Sequence, residues 1–240
     1  MSIDDAAKLL VKKILYRTPL ARVIAHPYVY NFSPAQLSFF CQCIDSTREL
    51  RGAIVEVGCF LGHTTIFLNK HMDFSEIEKP YYALDTFDGF LGEDIDHEVK
   101  TRGKRKADIA ASFKGNSKYF FDKHMVLNSI TRVLSIQTDA STFEFSRTGR
   151  ISFALIDVDL YHPVKVALQR IYGQLEPGGI VVVDDCQSNN PFDGALQAYN
   201  EFVAEHALVP MVAHQKLGVI QKPKTVNGEN SPRVGPGNVS

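Results

Sequence analysis

Residues 53–65 read Ala53-Ile54-Val55-Glu56-Val57-Gly58-Cys59-Phe60-Leu61-Gly62-His63-Thr64-Thr65. A short β-branched run ends in a glycine-bearing turn, and a helix-length segment follows. Strand, tight turn and helix start, in that order, make the opening unit of a parallel sheet. The alternation continues downstream: Tyr81 to Leu84, Val133 to Ile136, Phe153 to Ile156 and Ile180 to Val183 are strand-like runs separated by helix-length stretches. Two last runs, Leu208 to Ala213 and Leu217 to Ile220, lie only a few residues apart and predict an antiparallel pair at the sheet edge. The pattern predicts an α/β fold with a doubly wound, mostly parallel seven-stranded sheet.

The chain has 240 residues, 45% hydrophobic and 22% charged, a globular composition with ample material for a core. That length suits one α/β domain with added terminal pieces. Residues 1–50 read as a helical extension, through Ala6-Ala7-Lys8-Leu9-Leu10-Val11 and then Pro34 to Leu50. There Ser33 can cap and Pro34 can take the first helical position. Residues 51–222 form the main domain, and 223–240, rich in Pro, Gly, Asn and Ser, read as a flexible tail. Residues 88–124 are charged and poorly periodic, with the basic run Lys100-Thr-Arg-Gly-Lys-Arg-Lys106. A lid or binding loop fits that stretch as well as a solvated surface face does.

Twenty-six basic residues against 27 acidic ones leave a net charge of -1, which supplies no general field for nucleic acid or an anionic membrane. A small-molecule partner fits better. Asp4, Asp5, Lys8, Lys12 and Lys13 interrupt the first apolar runs, and no run reaches the roughly 20 residues of a spanning helix, so a cytoplasmic protein is expected. Cys41, Cys43, Cys59 and Cys186 lack the paired spacing of a zinc site and are expected to be buried thiols.

Three groups of residues carry chemistry. In the opening turn, Gly58 and Gly62 would let backbone approach a ligand, and the helix start at His63-Thr64 offers free N–H groups to an anion such as a methionine carboxylate. The glycines of G-x-G-x-x-G are missing at Phe60 and His63, which counts against a dinucleotide. At the second strand's end, Asp85 is placed to accept both ribose hydroxyls of an adenosine ligand, and Asp139, after the third strand, to accept an adenine amino group. Taken singly, each of these fits a turn residue too. The most specific group is Phe153-Ala-Leu-Ile-Asp157-Val-Asp159-Leu-Tyr161-His162-Pro163 with Leu175-Glu-Pro177-Gly178-Gly179-Ile180-Val-Val-Val183-Asp184-Asp185. Asp157 ends one strand and Asp184-Asp185 the next, so in a parallel sheet they meet at one carboxyl edge. Crowded carboxylates repel unless a cation neutralises them, and Mg²⁺ is the natural hard ion.

These motifs, with Glu56-Val57-Gly58-Cys59-Phe60-Leu61-Gly62 and Ala83-Leu84-Asp85-Thr86-Phe87-Asp88-Gly89-Phe90, resemble the macrocin O-methyltransferase family from Ala53 to about Gln221. The resemblance implies a class I, Mg²⁺-dependent methyltransferase that uses S-adenosylmethionine on sugar hydroxyls of natural products. It further implies that Glu56, Gly58, Gly62, Thr64, Asp85, Asp139 and Asp157 surround the cofactor. Asp157, Asp184 and Asp185 would hold the metal, and Asp159 would be the general base. Two departures bear on the acceptor pocket: Val164 stands where the family usually has Thr, and Cys186 where it has an aromatic residue. Catechol methyltransferases usually carry D-N at Asp184-Asp185, which favours a sugar or glycoside acceptor over a catechol. A non-catalytic adenosine-binding module is the rival of another class. His63, Tyr161 and His162 are candidates for acceptor contacts, and the amino-terminal helices for contacts between copies.

Overall fold

The computed structural model describes residues 3–19, 28–109, 113 and 115–224. Seven strands form one sheet: β1 (Ala53–Val57), β2 (Tyr81–Asp85), β3 (Val133–Gln137), β4 (Ile151–Ile156), β5 (Leu175–Val183), β6 (Val212–Ala213) and β7 (Leu217–Gln221), in the order β3-β2-β1-β4-β5-β7-β6. The first five are parallel, and β7 runs antiparallel to both β5 and β6. The chain moves outward from β1 to β3 and returns beside β1 with β4, so the switch point lies between the carboxyl ends of β1 and β4.

The described helices are α1 (Ile3–Leu15), α2 (Pro34–Ser46), α3 (His63–Phe74), α4 (Gly92–Arg102), α5 (Lys106–Ile109), α6 (Lys118–Leu127), α7 (Tyr161–Gln174) and α8 (Gly194–Glu205), of which α2, α3 and α6 pack on one face of the sheet and α7 and α8 on the other. Strand alternation divides the core in two. Ile54, Phe153, Leu155 and Val182 pack with residues of α2, α3 and α6, while Val55, Ala154, Ile156 and Val183 pack with α7 and α8. All of these strand residues are buried. No helix of the described residues is long and apolar enough to cross a membrane.

Ser33 caps α2 as expected, in a capping box with Gln36, and Pro34 takes the first helical position. The helix stops at Ser46 rather than Leu50, because the Thr47 hydroxyl turns back onto the carbonyls of Cys43 and Ile44. Strand β5 begins at Leu175, five residues before the expected start at Ile180. A register shift opposite Ile151 and Phe153 lets it carry Pro177-Gly178-Gly179. Strand β6 has only two residues, although Val219 N–H still donates to the Met211 carbonyl beyond it. The stretch 88–124 holds α4, α5 and the start of α6. Of the expected tail, residues 225–240 lie outside the described residues.

Candidate active site

The turn from β1 into α3 is shaped by two glycines with different tasks. Gly58 has φ 84°, and a Cβ there would stand 1.9 Å from the Asp157 carbonyl oxygen, so only glycine lets β1 and β4 close at the switch point. Gly62, at φ 82°, caps α3 without a side chain, but its bare Cα faces Met125 and Phe121 of α6. Gly62 makes room for α6, and alone among the ten expected site residues it does not itself line the cavity, although its neighbours Leu61 and His63 do. Thr64, on the first turn of α3, does line it.

That cavity, about 490 Å³, lies across the carboxyl ends of β1, β2, β4 and β5 and has the size of a small-molecule site. Asp85 is largely occupied: one oxygen accepts the N–H groups of Cys59 and Phe60, each at 2.8 Å, and the other accepts Phe87 N–H at 2.6 Å. A carboxylate offers about four acceptor positions, and three of those of Asp85 are taken within the protein. Asp139, which also lines the cavity, accepts Ser141 N–H through one oxygen. Glu56 is 1% exposed, and one oxygen accepts both the Thr65 and the Tyr81 hydroxyls at 2.6 Å. Burial pushes its pKa up to about 7 despite those two bonds.

The second half of the cavity is acidic. Asp157, Asp159, Asp184 and Asp185 all line it, three of them 5–8% exposed. Burial first, then mutual repulsion, holds Asp157 and Asp159 well above the usual carboxylate range and raises Asp184 too. Asp159 and Asp185 adopt left-handed backbone, φ 62° and 56°, a strain found at functional sites. Among the described residues no three of His, Cys, Asp or Glu already stand as a metal cage. The donor chemistry nevertheless suits a hard cation: the ligands are carboxylate oxygens, and Asp184 Oδ1 is buried without a hydrogen-bond partner.

The cation beside these acids is one the sequence reading missed. Lys216, on the turn before β7, places Nζ 2.7 Å from Asp184 and 3.6 Å from Asp185. Burial alone would lower its pKa, but the acids outweigh that and raise it. The signal lay in the register: Gly218 pairs with Val183, so the turn before β7 must fall beside Asp184. Asn190, whose side-chain amide donates to Asp185 at 3.3 Å, was missed as well.

The histidine and tyrosine candidates separate. His63 lines the cavity, stacks on His124 with centroids 5.8 Å apart, and has its pKa lowered by burial and by His124. His162 does not line it, and the Tyr161 hydroxyl donates to Glu201 instead. Val164 and Cys186, the two departures, are buried in the core beside α7 and α8 and line no part of the cavity. The four cysteines are buried free thiols, and burial pushes their pKa values up.

The family model described as macrocin O-methyltransferase (TylF) matches residues 34–220. The chain belongs to the macrocin O-methyltransferase family. Among individual relatives it is 26% identical over 140 residues to 8-demethyl-8-(2,3-dimethoxy-alpha-L-rhamnosyl)-tetracenomycin-C 4'-O-methyltransferase of Streptomyces olivaceus. That match covers 56% of this chain and about half, 52%, of the relative. Among solved structures, the O-methyltransferase NovP superposes with a TM-score of 0.69 at 18% identity, covering 79% of this chain and 80% of NovP. CalS11, the calicheamicin methyltransferase, gives 0.64 at 18% identity over 92% of this chain and 93% of its own. These likenesses show the shared Rossmann-like fold, and in this macrocin O-methyltransferase family member the acidic cluster sits at its carboxyl edge.

Proposed function

We propose that the chain is a metal-dependent O-methyltransferase that moves a methyl group from S-adenosylmethionine to a hydroxyl of a sugar or glycosylated small molecule. The observation that carries this reading is the convergence of four carboxyls, three buried and Asp157 half-buried, in the same cavity as the Gly58 turn and Asp139. An adenosine-binding module has no use for such a cluster, whose burial costs stability unless a cation or protons neutralise it.

In this reading the first turn of α3, with Thr64, receives the methionine carboxylate, and Glu56 lies near the methionine amine. Asp85 takes a ribose hydroxyl and Asp139 the adenine amino group. Asp157, Asp184 and Asp185 would hold Mg²⁺, which supplies Lewis acidity toward an acceptor hydroxyl. Asp159 accepts the hydroxyl proton as the acceptor oxygen attacks the methyl carbon and the sulfur–carbon bond breaks. The products are a methyl ether, S-adenosylhomocysteine and one proton held on Asp159. Alignment of oxygen, carbon and sulfur by the cavity walls supplies much of the acceleration. The relative from Streptomyces olivaceus is named for action on a rhamnosyl compound, so rhamnosides are the first acceptors to test.

Calorimetry with S-adenosylhomocysteine and with Mg²⁺ tests the reading on wild type and on a D184A, D185A double variant. Both proteins should bind the cofactor product and only wild type the metal. A folded wild type that binds no S-adenosylhomocysteine would sink the proposal. Full turnover by Asp159→Asn with metal still bound would remove Asp159 as the base.

A further inference from the structure

One buried acid of the cavity has no task in the proposed methyl transfer. Asp94 is 6% exposed, lines the cavity from the first turn of α4, and has no hydrogen-bond or ion-pair partner among the described residues. Packing sets its direction. Ile95, next to it, buries with Ile109 and Leu160, and Glu98, one turn on, caps α7, so α4 is held with Asp94 turned to the cavity. An acid in a first turn ordinarily serves the helix amino terminus, a task that needs no burial. Glu93, exposed in the same turn, already meets it. A buried carboxyl without a donor is costly, so Asp94 calls for a donor from a ligand.

Its charged surroundings say which end of the cavity it serves. Of the acids lining the cavity, Asp139 bears on Asp94 most strongly. The other charged groups acting on it are Glu93 and Glu98 of its own helix and His162 of α7, which does not line the cavity. Burial, ahead of all these charges, pushes its pKa up to about 6, which leaves it ionised at pH 8. The walls beside the two acids are apolar: Leu91, three residues before Asp94, and Ala140, next to Asp139, line the cavity too. Two carboxylates that share one space repel, and a planar group with two N–H donors and no acceptor relieves both. The exocyclic amino group of adenine is such a group.

We propose that Asp94 is a second acceptor for the adenine amino group of the cofactor, one N–H going to Asp139 and the other to Asp94, and that it thereby sets selection of a 6-amino purine over a 6-oxo one. This deepens the methyltransferase reading, which assigns Asp139 to that amino group, and rests on it. A 6-oxo purine brings an acceptor oxygen against two carboxylates and leaves both unpaired, the kind of mismatch that discriminates strongly.

The test is calorimetric titration of the full chain at pH 8 with S-adenosylhomocysteine and with S-inosylhomocysteine, its 6-oxo analogue, on wild type, Asp94→Ala, Asp94→Asn and Asp139→Ala. Wild type is expected to prefer the adenosyl ligand by at least about a hundredfold, and Asp94→Ala to shrink that ratio by about tenfold or more. Asp94→Asn should shrink it further, because its amide can donate to the 6-oxo oxygen and so gains affinity for the inosyl ligand. Asp139→Ala should keep part of the preference. An unchanged ratio in both Asp94 variants, whether the two ligands are weakened alike or not at all, would show that Asp94 serves only the fold of α4 and overturns the inference. Absence of any preference in wild type, or its complete loss in Asp139→Ala alone, overturns it as well. A wild type that binds neither ligand overturns the methyltransferase reading beneath it. The two Asp94 variants differ in size and polarity, so misfolding of one does not decide the outcome.

Discussion

Glu56 shows how one buried side chain can set the pH response of the whole protein. Its ordinary pKa of 4.5 rises to about 7, chiefly through burial. The folded state therefore prefers the protonated form. The stability this group contributes is complete below about pH 4.5 and is lost as the pH rises through 7, a span on the order of 3 kcal/mol. Glu56→Gln keeps a carbonyl to accept from Thr65 and Tyr81 but removes the charge. Its melting temperature at pH 8 should exceed that of wild type by several degrees, and the gap should close near pH 4.5. Thermal unfolding of both proteins across that range checks this, and a constant gap at every pH would refute it. If Glu56 holds the methionine amine, the same variant also binds S-adenosylhomocysteine more weakly at pH 8. The sequence placed Glu56 at the site, but not the Tyr81 hydroxyl against it. That contact depends on β1 pairing with β2, where Ile54 sits opposite Tyr81.

The central strands of this protein were legible because β1 and β4 are apolar runs buried along their whole length, whereas β3 and β6 are only part-buried. The segment over the cavity was not. Helix α4 buries Asp94, Ile95 and Glu98, so it presents no apolar stripe to read. Helix α6 buries Phe121 and Met125 while Tyr119, Phe120, Val126 and Leu127 stand exposed, which blurs its period. Charge fixes α4 instead. Glu98, 1% exposed, accepts Tyr161 N–H at 2.8 Å and Arg102 Nε at 2.7 Å. A carboxylate from α4 thus caps α7, whose own cap residue Leu160 has no side-chain acceptor. Arg102 reaches on to Asp193 at the start of α8. Glu98→Ala leaves Arg102 to Asp193 alone and the start of α7 uncapped, a loss of roughly 1–3 kcal/mol. Hydrogen exchange should then quicken across 92–109 and the first turn of α7, with the central strands unchanged. A uniform rise through β1 and β4 would show that Glu98 supports the core rather than the cover.

At the scale of the molecule, the fold gathers negative charge at the carboxyl edge of the sheet, and it answers with a lysine from the turn before the neighbouring antiparallel strand. The acids come from the ends of β4 and β5, which run parallel, while Lys216 comes from the turn before antiparallel β7. Only the assembled sheet brings them together, which is why Lys216 lies beyond motif reading. In a chelating buffer Lys216→Met removes the one lysine or arginine from the described cavity walls and leaves crowded buried acids. Breaking such a pair costs about 3–5 kcal/mol, so the melting temperature should fall by several degrees. If Asp184 holds the proposed Mg²⁺, the added ion should raise it more in the variant than in wild type, because in wild type the ammonium would compete with the ion for Asp184. Differential scanning fluorimetry of both proteins over a Mg²⁺ series measures the two shifts. An equal response would mean that Lys216 and the ion do not share Asp184, and that the lysine serves only to close the hairpin against β5.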